Sequence, residues 1–338
     1  MTDLTKKFSF IIPIYNTGIE IIEKCICSIL GQRINNFEII LVNDGSSDKV
    51  IDDFCKELES TESGLIYIYQ ENQGSAVARN KGLDMATGDY IFFVDADDTL
   101  VEESFQKYLN LSEEVEITCF DYLITDGQNS TNYSLNSKMD LSNHKNRLYA
   151  NIMYKPGVLD DFAFGAIWGK CFSRQFLEKN NIRFRPELRK TQDRIFMLEA
   201  FLHSSNILYL PIPFYNYHVN PNSITHVKNF KMLDYCERLI NCFNDLVEQY
   251  PELKKDSKYF TYNIFQEMLL LTYLNKYSDF PSKIYVSEIT KIYKRFKLDE
   301  GLREINYQDF NNSGEKIKLF LYKNRFFRVL KYYYSRVK

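Results

Sequence analysis

The feature that most constrains the fold of this chain is an alternation of short apolar runs with longer helical patterns in its first hundred or so residues. The apolar runs are FSFIIPI, FEIILV, LIYIY and YIFFV, followed in turn by helical patterns over 19–31, 49–60, 73–87 and 101–112. Each run is almost continuously apolar, which is typical of strands covered by helices on both faces. The pattern predicts a parallel, doubly wound α/β sheet, and such sheets bind ligands at the carboxyl ends of their strands.

The middle of the chain and its C-terminal third follow different patterns. A strand-like run at 117–125 precedes a polar stretch over 126–146, rich in Asn and Ser, for which we expect a surface excursion or a hairpin. A helix at 192–204 and the strand-like run ILYLPIPFYNYHV come next. Beyond about residue 228 only helical patterns remain. The chain is therefore expected to form an α/β domain over 1–227 and a helical domain over 228–338.

The charge of the chain is unevenly distributed. Its net charge is −3, which excludes a wholly basic nucleic-acid binder, yet residues 316–338 contain eight Lys or Arg and no acidic residue. The apolar residues of the tail at 315–338 recur on one face of a predicted helix: Leu319, Phe326, Leu330, Tyr333 and Val337. Three partners are open for this basic, aromatic tail: an anionic membrane surface, a partner subunit, or its own helical domain.

The cysteines and the hydropathy pattern indicate in which compartment of the cell the protein is expected. Seven cysteines are scattered without a CxxC pair, which is typical of reduced thiols in a cytosolic protein. The start of the chain lacks the pattern of a signal peptide, and no apolar run approaches the roughly 20 residues of a membrane span. We expect a cytoplasmic protein, on the inner face of the cell membrane if the tail binds lipid.

Two acidic clusters follow predicted strands. NDGSSD, from Asn43 to Asp48, would place the Asp44 carboxylate and nearby amides towards a ligand crevice, or else cap the next helix through a Ser or Asp48. DADD, from Asp95 to Asp98, has three carboxylates within four positions, so a counter-ion is expected. Carboxylates together with phosphate oxygens suit Mg²⁺ or Mn²⁺; the alternative is a solvated turn that caps a helix.

A third segment, ENQGSAVARNKG, opens a predicted helix with Asn72 and Gly74 and carries Arg79. A guanidinium on the first turns of this helix can pair with the neighbouring carboxylates or with a diphosphate. A structural ion pair to Asp95 or Asp44 is equally compatible with the sequence.

Taken in order, IIPIYN, FEIILVNDGSSD, ENQGSAVARNKG and ATGDYIFFVDADD closely resemble the family 2 glycosyltransferases, which have the GT-A fold and use nucleotide-sugar donors. The resemblance covers about residues 8–105. It implies a Rossmann-like, mostly parallel sheet flanked by helices. It also implies a nucleotide-sugar-binding half at about 8–112 and an acceptor half at 113–227.

The resemblance assigns roles to individual residues. Asp44 matches the position that binds a uracil-type base, Asp97 the metal-binding position, and Asp95 a position that reaches ribose or metal. Asn43 departs from the family, in which Asp is common at this place. The full set of donor-binding residues implied is Pro13, Tyr15, Asn16, Asp44, Asn72, Gly74, Arg79, Asp95, Ala96 and Asp97.

The resemblance also implies a general base and an acceptor side. Asp193 in KTQDRIFMLEAF matches the base, with Gln192 in place of the usual Glu. Asp193 would start a helix, whose dipole would keep the carboxylate ionised and lower its pKa; alternatively it is only an acid favoured by that dipole. Trp168 and Lys170 match acceptor-side positions, although a single Trp is also common in a core.

The segment FYNYHVNPNSITH resembles the one that closes such catalytic domains, and its His218 or His226 could touch phosphate or metal or serve only a structural role. The aromatic content of 15% is a candidate supply of sugar-stacking and surface-docking groups.

The function expected is that of an inverting, metal-dependent glycosyltransferase, with Mn²⁺ or Mg²⁺ as cofactor and a UDP-sugar as donor. Its acceptor would be a hydroxyl of a lipid-linked or protein-linked glycan in surface polysaccharide or glycoprotein synthesis. The alternative is a homologue without activity that serves as a scaffold or partner subunit of another transferase. A sugar-nucleotide pyrophosphorylase would need a Gly-rich basic loop after the first strand, which IIPIYNTG lacks.

Overall fold

The computed structural model describes residues 6–111, 115–159, 162–219, 232–270, 274 and 282–336. The chain divides into two compact units, Met1–Lys145 with Phe164–Val219 and Asn146–Ala163 with Asn220–Lys338. The boundary predicted near residue 227 lies outside the described residues. The second unit also includes 146–163, which the sequence analysis placed in the α/β domain.

The first unit is built on one sheet of ten strands: β1 Phe8–Ile14, β2 Phe37–Asp44, β3 Leu65–Gln70, β4 Tyr90–Phe93, β5 Thr99–Leu100, β6 Ile117–Asp126, β7 Asn129–Tyr133, β8 Met139–Asp140, β9 Lys170–Ser173 and β10 Ile207–His218. Along the sheet the order is β3-β2-β1-β4-β9-β6-β10-β5, with β7 beside β6 and β8 beside β10. Strands β1 to β4 pair in parallel, as do β6 and β10. The predicted mostly parallel α/β sheet is confirmed.

The sequence left two details of the sheet undecided: the direction of β9 and the course of the polar stretch after β6. Strand β9 lies antiparallel between β4 and β6, so the sheet is mixed at its centre. The polar stretch after β6 turns back as β7, antiparallel to β6, and this confirms the hairpin alternative.

The helices of the chain are α1 Ile19–Leu30, α2 Lys49–Thr61, α3 Ser75–Met85, α4 Ser104–Leu111, α5 Lys145–Ile152, α6 Arg174–Lys179, α7 Gln192–His203, α8 Met232–Gln249, α9 Ser257–Leu269, α10 Ser282–Arg295, α11 Leu298–Glu304, α12 Ser313–Lys323 and α13 Phe327–Arg336. Asp48 caps α2 by accepting a hydrogen bond from the Val50 amide at 2.9 Å, one of the caps expected from the sequence. None of the helices among the described residues combines the length and the apolar character that a membrane crossing requires.

Aromatic side chains fill the core on both faces of the sheet. The neighbouring residues Phe92 and Phe93 of β4 point to opposite faces, as successive strand residues must. The Phe92 ring stacks on Phe10 and Phe214 at 5.1 and 5.2 Å, while Phe93 packs edge-on against Phe196 of α7 at 5.8 Å. Much of the aromatic content predicted to stack on sugars or dock on surfaces therefore serves as core.

The second unit is helical, as predicted. Phe243 of α8 stacks on Phe260 of α9 at 4.0 Å, and the Tyr293 hydroxyl of α10 donates to the carbonyl of Tyr322 at 2.8 Å. Buried tyrosines thus keep a polar contact while they fill this core.

The tail differs from the single amphipathic helix that its spacing predicted. It forms two helices, α12 and α13, separated at Asn324 to Phe326, where Arg325 has a left-handed φ of 55°. Leu319 and Leu330 are buried as predicted, but Phe326 is 48% exposed. The predicted face is wrong because the break changes the helical phase after Lys323; Val337 lies outside the described residues.

Helix α3 packs so closely on β1 that only glycine fits at position 82. A Cβ at Gly82 would lie 2.4 Å from Cγ2 of the buried Ile11. We expect Gly82→Ala to lower the free energy of unfolding by about 1–3 kcal/mol, because the core must shift to admit a methyl group. Urea unfolding followed by circular dichroism measures the change. Gly301→Ala in α11, where a Cβ meets nothing within 4 Å, is the control and should be neutral or stabilising. Equal effects of the two substitutions would contradict this packing.

Candidate functional site

The carboxyl ends of β1 and β2 are joined by hydrogen bonds between their loops. Asn16 follows β1 with a left-handed φ of 51°, and its side-chain oxygen accepts from the amide of Ser47 at 2.8 Å. The backbone amide of Asn16 donates to the Ser46 hydroxyl at 2.9 Å. Pro13 is half-buried, whereas Tyr15 and Asn16 are exposed at this edge. The loop residues predicted to lie beneath the donor are therefore at the strand ends where such a ligand would bind.

Asp44, at the end of β2, organises the loop that precedes α3. One carboxylate oxygen accepts from the Gln73 amide and the Gln70 side chain, both at 2.8 Å, and the other accepts from the Gly74 amide at 2.8 Å. The side chain of Asn72 donates to the carbonyl of Asp44 at 3.0 Å. Base binding by Asp44 stays a prediction; the contacts show a carboxylate that fixes this loop.

The departure from the family at Asn43 has a local explanation. Its amide nitrogen donates to the Tyr67 hydroxyl at 2.9 Å, and its oxygen accepts from the Ser46 amide at 2.9 Å. The Tyr67 hydroxyl in turn donates to Asp52 at 2.6 Å. An ionised Asp at position 43 has no proton to donate to Tyr67, so the amide suits this buried network.

Arg189 was missed by the sequence analysis. Gly74 has φ of 96°, and a Cβ there would lie 2.6 Å from the Arg189 guanidinium, which donates to Asn72 at 3.4 Å. This places a cation beside the start of α3. The sequence contains no signal for it, because the contact joins loops more than a hundred residues apart.

Arg79 is the centre of the site. Its side chain is buried, and its two terminal nitrogens donate to Asp95 at 2.6 Å and to Asp193 at 3.2 Å. The guanidinium also lies over the Phe184 ring at 5.4 Å. Pairing with carboxylates, one of the alternatives left open above, is what the structure shows, and Asp44 is not the partner. Arg79 thus brings together the turn after β4 and the start of α7.

The acidic residues after β4 lie in different environments. Asp98 accepts from the Tyr215 hydroxyl at 2.7 Å and from the His218 amide at 2.8 Å, and burial together with the charge of Asp95 raises the pKa of Asp98 to about 8. Asp95 is paired with Arg79 and Asp98 is buried, whereas Asp97, the third carboxylate of this turn, is half-buried. The expected counter-ion to the cluster is in part Arg79 itself.

Asp193 lies in the first turn of α7, and 25% of its side-chain surface is accessible. Burial of the carboxyl group raises the pKa of Asp193 above its ordinary value, although Arg79 opposes the shift, as does an amide hydrogen bond from Ile167. The expectation that the helix dipole would lower this pKa is wrong in direction, because desolvation outweighs it. A raised pKa makes the carboxylate a better proton acceptor.

Gln192, which replaces the family's usual Glu, donates from its side chain to the Ser75 hydroxyl at 2.7 Å. A carboxylate could not donate in this way. Its side-chain oxygen is buried and, within the described part of the chain, has no hydrogen-bond partner.

Lys170 and Trp168 lie on the segment that approaches Asp193. The Lys170 ammonium is buried and donates to the carbonyls of Ala166 and Trp168 at 2.7 and 3.4 Å. Burial lowers the pKa of Lys170 to about 8. Trp168 stacks on Tyr215 and Tyr217 at 5.1 and 5.6 Å. Trp168 is therefore part of an aromatic cluster and is half-buried, so its predicted contact with an acceptor sugar stays a prediction.

His218 makes the contacts expected of a residue with only a structural role, which is one of the alternatives given above. Its Nε2 lies 3.0 Å from the Thr99 hydroxyl, and burial lowers its pKa. The other candidate, His226, lies outside the described residues.

A divalent cation fits this site only if a bound ligand, such as a phosphate group of a substrate, supplies further oxygen atoms. In the described ranges no cluster of three or more His, Cys, Asp or Glu side chains is arranged to hold a metal. The negative charge of Asp97, however, adds to the effects of burial and Asp95 that raise the pKa of Asp98, and it opposes the lowering of the pKa of His218 by burial, so the turn has an anionic potential. Mg²⁺ and Mn²⁺ are commonly held by one or two carboxylates with substrate phosphates, and Asp97 can supply such an oxygen.

A sheet whose parallel strands end in acidic turns, with a buried arginine that joins Asp95 to Asp193, is typical of α/β folds that bind a ligand at the strand ends. Residues 9–175 match the family model described as glycosyl transferase family 2, and this segment is a domain of that family.

Among related proteins, the putative glycosyltransferase EpsH of Bacillus subtilis is 27% identical over 233 residues, 68% of this chain and 66% of EpsH. The uncharacterized glycosyltransferase EpsJ of the same organism is 31% identical over 230 residues, 65% of this chain and 63% of EpsJ. The match spans less than two thirds of the length of each of these relatives.

Among solved structures, S. aureus TarS 1–349 in complex with UDP-GlcNAc superimposes with a TM-score of 0.61 at 18% identity. The superposition covers 90% of this chain and 82% of TarS 1–349. This likeness supports the predicted GT-A-like fold.

The bridge made by Arg79 generates a stability prediction. We expect Arg79→Met to lower the free energy of unfolding by about 3 kcal/mol at pH 7, because two carboxylates lose the cation that compensates their burial. The loss should shrink as pH falls towards about 4, since without the guanidinium the folded-state pKa of Asp193 rises further above its unfolded value and protonation then removes part of the penalty.

The control is Arg183→Met, because Arg183 contacts the exposed Asp84 at 3.6 Å, and such surface pairs contribute less than about 1 kcal/mol. Denaturant unfolding at several pH values measures both variants. A loss for Arg79→Met that is independent of pH would contradict the charge argument.

Proposed function

We propose that this chain is an inverting glycosyltransferase that moves a sugar from a UDP-type nucleotide sugar to a hydroxyl group of a growing glycan. The observation that carries the proposal is the placement of Asp193. The side chain of Asp193 is partly accessible, and its carboxylate is held by Arg79, with Asp95 of the acidic turn on the other terminal nitrogen of the same guanidinium. The proposed proton acceptor and the turn proposed to face the nucleotide sugar thus belong to one ion-pair network.

Donor binding is assigned to the edge formed by the ends of β1 to β4. The loop that Asp44 holds before α3 and the Asn16 loop after β1 lie at this edge, and Arg189 adds a positive charge beside Gly74. The fold shared with TarS, which was solved in complex with UDP-GlcNAc, supports a UDP-type donor. Backbone amides and a guanidinium are suitable partners for a diphosphate.

In this proposal Asp193 takes the proton from the acceptor hydroxyl as its oxygen attacks the anomeric carbon. The raised pKa of Asp193 favours this proton transfer, and the Ile167 amide and Arg79 orient the carboxylate. Lys170 holds the carbonyls of the segment that contains Ile167, so it acts as a positioning residue.

A divalent cation, Mn²⁺ or Mg²⁺, is proposed to bind through Asp97 and the donor phosphates, with Asp95 near by. When bound, it would neutralise charge on the leaving nucleoside diphosphate. His218 is the less favoured ligand, because its Nε2 already contacts Thr99.

The general base is tested with Asp193→Asn. We expect binding of UDP to be retained and turnover to fall about 10²–10⁴-fold, because the amide cannot accept the proton. The wild-type rate should also fall as pH drops through the raised pKa of Asp193, since the protonated acid is inactive. Donor consumption is measured across a panel of nucleotide sugars with Mn²⁺. Asp53→Asn, which alters an exposed acid of α2, is the control.

Unchanged turnover in Asp193→Asn would exclude the assignment of Asp193 as the general base. A wild-type chain that binds UDP but consumes no donor would favour the scaffold alternative.

The metal position is tested with Asp97→Ala. Titration calorimetry of UDP with and without Mn²⁺ should show metal-enhanced binding in the wild type that is lost in the variant, because the variant lacks the carboxylate oxygen proposed to hold the ion. Asp53→Ala should keep the enhancement. Enhancement that persists in Asp97→Ala would show that the ion binds elsewhere.

A further inference from the structure

The helices α12 and α13 are apolar on two sides. One side forms part of the core of the second unit, where Leu319, Tyr322 and Leu330 are buried. The opposite side exposes five large apolar side chains, here called the exposed stripe: Ile317 (50%), Phe320 (47%), Phe326 (48%), Val329 (53%) and Tyr332 (57%). Ile317 and Phe320 share one face of α12, Val329 and Tyr332 share one face of α13, and Phe326 lies in the turn just before α13. The rings of Phe320 and Phe326 are 5.9 Å apart, so the stripe continues across the turn between the helices.

A basic pocket borders the exposed stripe. It is a cavity of about 500 Å³ between α10 and α13, lined by Val286, Ser287, Thr290, Lys291, Lys294 and Arg328. Arg328 precedes Val329 of the stripe, so the pocket and the stripe are adjacent. Lys291 pairs with Glu288 at 2.6 Å, whereas Lys294 and Arg328 have no carboxylate partner among the described residues. Two hydroxyls and three cations in one concavity are suited to a phosphate group.

We propose that this face of the second unit binds the surface of an anionic phospholipid bilayer. The exposed stripe enters the interfacial region, and the basic pocket receives a lipid headgroup phosphate. Aromatic and aliphatic side chains flanked by Lys and Arg are the combination that lies in a membrane interface. Attraction to anionic lipid adds to the apolar contribution.

The charge distribution favours a lipid surface over a protein partner. Residues 316–338 contain eight basic residues and no acidic residue, and although Lys318 and Arg325 pair with Glu315 and Asp299, the remaining excess of positive charge favours an anionic partner. A second copy of this chain, joined by a two-fold axis, would oppose two cationic faces. The cores of protein interfaces are also depleted in charged residues, whereas Arg328 adjoins the stripe directly.

Sedimentation of the full chain with vesicles tests the proposal. We expect binding to vesicles of phosphatidylcholine with 30% phosphatidylglycerol at about 0.1 M salt and little binding to phosphatidylcholine alone, because the basic groups need anionic headgroups. Raising the salt to about 0.5 M should release most of the protein, since screening weakens the attraction.

Two double variants, each with a matched control, test whether binding depends on the basic pocket and the exposed stripe themselves or only on the total charge and hydrophobicity of the chain. Lys294→Gln with Arg328→Gln should weaken binding by about 30-fold, since each basic residue near an anionic surface contributes about fivefold. The control, Lys254→Gln with Lys255→Gln, removes the same charge from exposed positions elsewhere in the second unit and should change binding by less than about threefold. Phe320→Gln with Phe326→Gln should weaken binding about tenfold or more. Its control replaces the exposed Val50 and Met85 of the first unit with Gln.

Circular dichroism confirms that each variant is folded, so a loss of binding is not a loss of structure. The proposal is overturned by equal binding to neutral and anionic vesicles, by no binding to either, or by equal losses in a variant and its control. It is also overturned if the wild type forms dimers without lipid and Phe320→Gln with Phe326→Gln abolishes them, because the stripe would then bind a second copy. None of these results depends on transferase activity.

Discussion

The site depends on the pairing of one buried arginine with two carboxylates. Arg79 is contributed by α3, Asp95 by the turn after β4 and Asp193 by α7, and each element would leave a buried charge without the other two. Removing a guanidinium from water is costly unless its donors are satisfied by opposite charge, so the three elements are held in one arrangement. The Phe184 ring beneath the guanidinium also packs on Phe196 of α7 at 4.3 Å. The same packing that forms the core therefore positions the carboxylate proposed to act as base.

The pairing also places the acidic residues in different environments. Asp95 is paired with Arg79, Asp98 is buried and has a pKa of about 8, and Asp193 has a raised pKa with part of its surface accessible. Three carboxylates with equal environments would compete for one role, but unequal burial and pairing give each a different protonation behaviour. This is why the short acidic motif alone does not reveal which of its carboxylates is paired with an arginine and which is buried.

The sequence predicted those features that have local signals. Continuous apolar runs identified β1 to β4, and the residues after these strands identified the edge of the sheet where Asp44 and Asp95 lie. The hairpin after β6 and the cap at Asp48 were also readable, since turn and cap chemistry is local.

Long-range and energetic features could not be read in this way. The partner of Arg79 at position 193 is 114 residues away, and the contact of Arg189 with Gly74 has no pattern in the sequence. The direction of the pKa shift at Asp193 depends on burial, which the helix-dipole argument ignored. The break in the tail at Arg325 changed which aromatic residues are exposed, because a left-handed residue alters the helical phase.

The central claim, that Asp193 assists a single displacement at the anomeric carbon, is tested most directly by the stereochemistry of the product. The purified chain is incubated with Mn²⁺ and the nucleotide sugar that it consumes, and proton NMR records the anomeric signal of the first product before mutarotation. The account predicts a product whose anomeric configuration is opposite to that of the donor. A product with the donor's configuration would contradict it, because retention needs a second displacement or a different mechanism at the site of Asp193.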